Sequence, residues 1–365
     1  MSTSDAVAAG DELVLTQRVS TSSFLGLSLR NGLLNLVTLT LYRFWGKTEV
    51  RRRLWRSVYL NGEPFEYTGR GVELFLGFLF ALLVIVLPFL LIVFGAQLLG
   101  PAVAGLILLP FYIFLGFIAG YGRFTAFRYI TSRSSWRGVR FQLKGSPAEY
   151  GGKWLGYSFL SGFTLGWFWP AAQRRLAAPL WDGLRFGDRR FRFDLERARR
   201  TPVYGAYALG WVGGVVAYLV FVALIVAVMV PTLRNAGSAP PQLSLLQICE
   251  FYVAGGLFAL GYVVIFAPYH AAMLRSIVSG ISFEGAAFEL KLRWPDLAGM
   301  TLSNVALTTL SLGFLMPFAE ARATRFIVQR IAIDGQVDLS AVRQASDAGP
   351  RTGEGLADAF GMSPI

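Results

Sequence analysis

Four stretches of the chain are apolar at almost every position: about 74–99, 102–121, 205–230 and 246–268. Their apolar residues do not recur at amphipathic spacing. They run on without interruption, rich in Leu, Val, Ile, Phe and Gly and almost free of charge. A helix needs about 20 such residues to cross the hydrocarbon of a bilayer, so each stretch predicts a spanning helix. Four runs of this length could not all hide in the core of a soluble chain of 365 residues.

Between the runs the pattern changes and begins to repeat. Thr38-Leu39-Thr40-Leu41-Tyr42-Arg43-Phe44-Trp45-Gly46-Lys47, Thr164-Leu165-Gly166-Trp167-Phe168-Trp169-Pro170-Ala171-Ala172-Gln173 and Ser311-Leu312-Gly313-Phe314-Leu315-Met316-Pro317-Phe318-Ala319-Glu320 share one scheme. A small polar residue and Leu precede Gly or Thr, bulky residues follow, and a small residue opens a helix bearing Arg52, Arg175 or Arg325. Short alternating segments around Asn61-Gly62, Gly187-Asp188 and Asp334-Gly335 come next, and similar ones lie at 136–141 and 281–290. Asn-Gly and Asp-Gly between alternating residues favour tight hairpin turns, whose central residues need positive φ. Five β-hairpins are therefore expected. A lone hairpin is marginal in water, so they should share one layer just outside the membrane.

The domains follow from the repeats: a polar tail over 1–19, a first unit over 20–150, a second over 151–296, a partial third over 297–340 and a disordered tail over 341–365. The Ala, Gly, Ser and Pro content of the last segment underlies that final expectation.

Charge then selects the topology. Of 34 Lys and Arg residues, nearly all fall in the N-terminal region, the repeat elements, the hairpins or the C-terminal segment. The linker near 97–101 carries no charge and that at 231–245 only Arg234. Basic residues near membrane ends stay in the cytoplasm. If the three repeat segments also cross, seven crossings result and a strongly basic loop is exported. If only the four long runs cross, every hairpin and both termini lie inside. The expected fold is thus a polytopic α-helical membrane protein with four spanning helices, three broken, re-entrant or interfacial segments and about five cytoplasmic β-hairpins; seven crossings are the alternative. The first twenty residues hold Asp5, Asp11 and Glu12 and no apolar core, unlike a cleavable signal.

Composition narrows the chemistry. One cysteine, Cys249, and one histidine, His270, supply no cluster for zinc, haem or iron–sulfur. No GxxxxGK[ST], Rossmann GxGxxG or HExxH motif occurs. No cofactor, metal site or catalytic residue is expected, and an enzyme ranks last among the functions. Asp182, Asp188 and Asp194 form the one acidic grouping near the second hairpin, and they read as surface ion pairs with neighbouring arginines.

The run from Leu39 to Arg53, with Gly62 and Phe65 after it, resembles the YjgN-like family of bacterial inner-membrane proteins, a domain of unknown function. The resemblance extends through the repeats over most of 20–340. Here Thr40 stands where the family pattern has Gly, Phe44 where it has Pro and Ala171 where it has an aromatic residue. The family implies an inner-membrane location and supplies no catalytic residue.

Ionisable groups at membrane depth are costly and mark candidate sites. Arg30, Asn31, Asn35 and Arg43 surround the first broken segment, where transporters place binding sites. Glu250 lies one turn into the fourth run, with Arg234 as its expected partner. Arg52, Arg175 and Arg325 sit where they could grip lipid phosphate. Anionic lipid headgroups are the expected partners, and interleaved membrane runs make nucleic acid the poorer fit. Transport or lipid handling with an arginine-rich cytoplasmic face is the leading expectation. A membrane scaffold presenting its β layer to a partner or to anionic lipid is the alternative.

Overall fold

The computed structural model describes residues 11–18, 20, 22–98, 100–236, 243–339 and 342–344. Strands β1 (Asp11–Glu12) and β2 (Leu15–Gln17) lead into helices α1 (Ser23–Val37) and α2 (Arg43–Trp55), then strands β3 (Val58–Leu60) and β4 (Glu63–Tyr67). Helix α3 (Gly71–Ala81), a π-helical stretch (Leu82–Val86) and α4 (Leu87–Leu98) run on to α5 (Pro101–Ser132), before β5 (Ser134–Trp136) and β6 (Val139–Leu143). Helices α6 (Pro147–Phe163) and α7 (Trp169–Gly183) precede β7 (Leu184–Phe186) and β8 (Arg189–Phe193). A short α8 (Leu195–Arg199), α9 (Tyr204–Ala236) and α10 (Leu245–Gly280) precede β9 (Ile281–Phe283) and β10 (Ala286–Leu290). Helices α11 (Trp294–Leu310) and α12 (Met316–Val328) lead to β11 (Ile331–Asp334) and β12 (Gln336–Val337).

Ten strands form one antiparallel sheet in the order β2 to β11, so neighbours in the sheet are also neighbours in the chain. Strands β11 and β2 lie beside each other and β1 pairs with β12, which makes the sheet barrel-like. Every helical excursion starts and ends on adjacent strands: β2–β3, β4–β5, β6–β7, β8–β9 and β10–β11. Each pair of helices therefore leaves the sheet and returns to it.

Strand alternation sorts the side chains. Phe65 opposes Trp136, Phe141 opposes Phe186, Phe191 opposes Phe283 and Phe288 opposes Ile333, all on one face. Members of this face join one apolar cluster that fills the interior of the barrel. Arg140, Arg185, Arg190 and Arg192 alternate with them and point outward, with Arg185 directly opposite Arg190. Four turns carry positive φ, at Asn61-Gly62, Arg137-Gly138, Gly187 and Glu284-Gly285. This is the backbone requirement that makes Asn-Gly and related pairs hairpin signals.

The expected fifth hairpin at Asp334-Gly335 does not form. Strand β11 pairs with β10, and β12 turns away to pair with β1. Gly335 has φ +123, and a Cβ there would lie 2.8 Å from the Ala286 backbone, so the chain must bend away. Residues 11–17, expected to be tail, supply strands. The rest of the N-terminal tail, 1–10, lies outside the described residues, as does the expected disorder of 341–365 except at 342–344. Those three residues cross the barrel end that bears the hairpin turns. Arg343 N donates to the Asp188 carboxylate (3.2 Å), and Arg140 N donates to Gln344 Oε1 (2.8 Å).

Four helices are long and apolar enough to cross a membrane: Gly71–Ala96, Val103–Ser132, Tyr204–Arg234 and Leu245–Gly280. The other three helical pairs are short hairpins with one shared turn. In each, a hydroxyl (Thr38, Thr164 or Ser311) accepts at 3.0 Å from the backbone N four residues on. The amides of Thr40, Gly166 and Gly313 donate to the carbonyls of Asn35, Ser161 and Thr308 at 2.6, 2.6 and 2.7 Å. Leu39, Leu165 and Leu312 have φ 49, 50 and 50, followed by φ 71, 91 and 86. Two consecutive left-handed residues reverse the chain, and the second is Gly in two copies. Thr40 adopts the same conformation at a cost, because its Cβ crowds the backbone there. Thr40→Gly is therefore expected to stabilise the protein by about 0.5–1 kcal/mol, after allowing for the greater freedom of unfolded glycine. A higher thermal midpoint in detergent would register it; a lower one would contradict the shared turn geometry.

Candidate functional site

The first and third short hairpins meet along a polar seam. Asn31 on α1 and Asn304 on α11 occupy the same position relative to their turns, seven residues before Thr38 and Ser311. Each amide donates to the carbonyl of a small residue across its own hairpin. Asn31 Nδ2 reaches Gly46 O at 3.4 Å, and Asn304 Nδ2 reaches Ala319 O at 3.0 Å. The small residues let the helices approach closely enough: a Cβ on Gly46 would sit 3.2 Å from the Asn31 side chain. Gly32 faces the Phe314 ring from the other hairpin, with 2.3 Å left for a Cβ.

Charge is buried in this seam. Arg51 of α2 is 1% exposed. Glu320 of α12 interacts electrostatically with both Lys47 and Arg51. Lys47 and Glu320 hold equivalent positions, nine residues after Thr38 and Ser311. The third equivalent, Gln173, accepts from the Tyr269 hydroxyl at 2.5 Å. Behind Asn304, the Arg322 guanidinium donates to its Oδ1 (2.9 Å) and to Ser303 Oγ (3.1 Å).

Glu320 opens onto a cleft of about 560 Å³, lined also by Asn304, Thr301, Thr308 and Thr324 and floored by Leu54. A second, apolar pocket of about 250 Å³ shares Leu54 and Thr324 with it and continues to Val58, Phe65 and Ile327. Val58 and Phe65 belong to the strands, and Phe65 packs against the cluster inside the barrel. The two spaces thus adjoin, running from between the helices to the helix-side mouth of the barrel. They end there, because apolar side chains fill the interior.

The residues singled out from the sequence scatter around this site. Asn31 lies in the seam and Asn35 one turn further along α1, and the buried Oδ1 of each has no hydrogen-bond partner among the described residues. Arg30 pairs with Glu49 on the outer side of the first hairpin. Arg43 lies over the Phe44 and Phe78 rings (4.8 and 4.9 Å), and Arg52 donates to Gly69 O (3.1 Å). Arg175 covers the Phe168 ring (5.3 Å) on the second hairpin, and Arg325 is exposed on α12. Glu250 borders a separate apolar cleft of about 540 Å³ between α9 and α10. No ion pair joins it to Arg234 among the described residues; Gln247 instead donates to Thr232 Oγ1 at 2.6 Å. The expected surface pairing of the three aspartates is largely replaced by backbone contacts. Asp182 accepts from Phe193 N, Asp194 caps α8, and Asp188 accepts from Arg343 N while lying only 3.9 Å from Arg189. Short carboxylates at helix starts and turns satisfy orphan amides, which outweighs a screened surface pair.

Sequence reasoning missed Lys47, Arg51, Glu320 and Arg174. Arg174 is buried and donates to Ser276 Oγ (2.8 Å) and Thr201 O (2.7 Å), fastening α7 to α10 and to the segment after α8. Aligning the three turns would have flagged Lys47, Gln173 and Glu320 as one position whose charge differs from copy to copy.

A family profile described as bacterial protein of unknown function (DUF898) matches residues 18–359, the YjgN-like family that the 39–53 run resembles. No curated protein and no solved structure matches.

Proposed function

The chain belongs to DUF898, a bacterial protein family of unknown function, and from that premise we propose an inner-membrane protein that handles a membrane-borne, lipid-like molecule. Four helices cross the bilayer and the three short hairpins enter and return. The barrel and both termini face the cytoplasm. Support comes from the excursions, since every helical pair returns to neighbouring strands of one sheet. It comes also from the hairpin tips: Leu39, Leu165 and Leu312 are 84%, 72% and 88% exposed. A reversing turn tipped with bare leucine belongs in hydrocarbon. The helices of 15 to 17 residues before the turns reach about 22–26 Å at 1.5 Å per residue, against a core of about 30 Å. The units 20–150, 151–296 and 297–340 are then repeats of one plan.

The observation that carries the function is the cleft beside Glu320 and Asn304, which lies among re-entrant helices and is blind at the filled barrel. A solute path straight through the barrel is blocked, whereas a molecule entering from the bilayer has access. Proteoliposomes test this: lipid transfer or flux should depend on the protein and fall on Asn304→Leu substitution. Rates equal to protein-free vesicles would count against the reading.

A scaffold role has one observation in its favour. Arg185 and Arg190 face each other on the outer wall beside Arg192, and none is in an ion pair among the described residues. Like charges directly opposite are destabilising, so an anionic partner would relieve them. Crosslinking that recovers a partner from wild type but not from R185E/R190E would favour it.

A further inference from the structure

The cleft and the barrel-mouth pocket differ in chemistry along their length. At the upper end Val305 and Thr309 are exposed, near the hairpin tip. At mid-height Glu320, Asn304 and the threonines offer acceptors and hydroxyls. At the far end, beyond Leu54, the walls are Trp55, Val58, Phe65, Ile327 and Val328. Leu54 and Val328 are buried and Trp55, Val58, Phe65 and Ile327 half-buried, so this end is a partly sheltered apolar recess. An apolar recess at the sheet beside a polar waist is the reverse of what a helix packed only against lipid requires. Each space is within or near the range of about 300–1,000 Å³ typical of small-ligand sites, which pair apolar walls with a few placed polar groups.

We infer that these two adjoining spaces together bind one single-chain amphiphile, its acyl end seated at the barrel mouth against Val58, Phe65 and Ile327 and its headgroup held at Glu320 and Asn304. The inference rests on the reading of the protein as a handler of membrane-borne molecules and names the ligand class for that cleft. The waist selects the headgroup. Glu320 is an acceptor already facing Lys47 and Arg51, so a hydroxyl-bearing neutral headgroup adds hydrogen bonds at no charge cost. A fatty-acid carboxylate would meet the Glu320 carboxylate and be disfavoured. The acyl end gains by leaving water for a pocket with no polar demand, about 0.8 kcal/mol per buried methylene.

Photolabelling tests it on the full-length protein in nanodiscs. The probe is a monopalmitoylglycerol with a diazirine at its chain end; palmitic acid carrying the same group is run in parallel. Adducts are expected on the peptides holding Val58, Phe65 and Ile327, competed by unlabelled monoacylglycerol and weaker with the acid. Glu320→Gln should narrow the difference between the two probes. Val58→Phe and Thr324→Phe, which narrow the pocket from opposite walls, should each lose the adducts while eluting as wild type on gel filtration. Adducts confined to the outward faces of α4 and α9, or unchanged in both filled variants, would overturn the inference. Lipid transfer by the same preparations separates the two claims. Transfer without barrel-mouth adducts sinks this site and leaves the broader reading standing. Site-specific adducts without transfer uphold the site and sink the broader reading.

Discussion

Trp136→Ala is expected to destabilise the protein by about 3–5 kcal/mol, the usual cost of truncating a large buried aromatic. Trp136 is 1% exposed and stands at the centre of the barrel interior. Its ring lies 5.9 Å from that of Phe186, and its Nε1 donates to Glu63 O at 3.2 Å. Alanine leaves a cavity among neighbours fixed by strand register, so they cannot collapse into it, and it leaves the Glu63 carbonyl without this donor. Trp136→Phe should recover much of the packing but not the hydrogen bond. Chemical denaturation in detergent would read the loss as a lower midpoint. A change under about 1 kcal/mol would mean that the barrel interior is not the packed core described here.

The second large effect is at the seam. Glu320→Ala is expected to cost about 1–3 kcal/mol, because it removes a carboxylate that attracts both Lys47 and the buried Arg51. Arg51→Met should be costly for the complementary reason, removing one of the two cations that Glu320 faces. The pair Arg51→Met with Glu320→Met should be less harmful than the sum of its parts, since charges that interact with one another couple non-additively. A double-mutant cycle on thermal or denaturant midpoints checks this. Strict additivity would mean that the two side chains do not share an environment. The cost also bears on function, because the seam joins the first and last short hairpins and forms one wall of the cleft.

Much of the fold could be read from residue patterns because the signals are local. Twenty apolar residues in a row, an Asn-Gly between alternating residues and a Thr-Leu-Gly reversal each encode geometry within a few positions. The four long helices, four of the tight turns and the shared hairpin turn all appear where those signals stand. Closure of the barrel was not legible. Strand β12 pairs with β1 across the whole length of the chain, and no periodicity in segments of two or three residues specifies such a partner. That long-range pairing is also why Asp334-Gly335 looked like a hairpin and is not one.

The site was legible only in part. Asn31 and Asn35 stand out in the sequence as polar residues in an apolar segment, and Asn31 bonds across the first hairpin to Gly46 O. Arg51 does not, because nothing in three consecutive arginines, Arg51 to Arg53, tells a buried one from a solvated one. Which of the three is buried depends on the helix facing α2, and that helix arrives nearly 270 residues later in the sequence. Glu250 stands apart from the seam. A carboxylate in an apolar run draws notice, yet this one lies near the end of its helix, where it remains exposed.

The central claim is that all five helical excursions depart from and return to one sheet on the cytoplasmic side. Single cysteines at Glu66, Arg190 and Asp334, which are exposed on different sectors of the sheet, and at Leu243 in the linker before α10, test it in a Cys249→Ser background. Labelling with a membrane-impermeant maleimide should reach Leu243 in intact spheroplasts, and the other three only after the membrane is opened. An Arg190 cysteine that reacts from outside while Glu66 reacts from inside would place neighbouring sectors of the sheet on opposite faces of the bilayer and contradict the architecture.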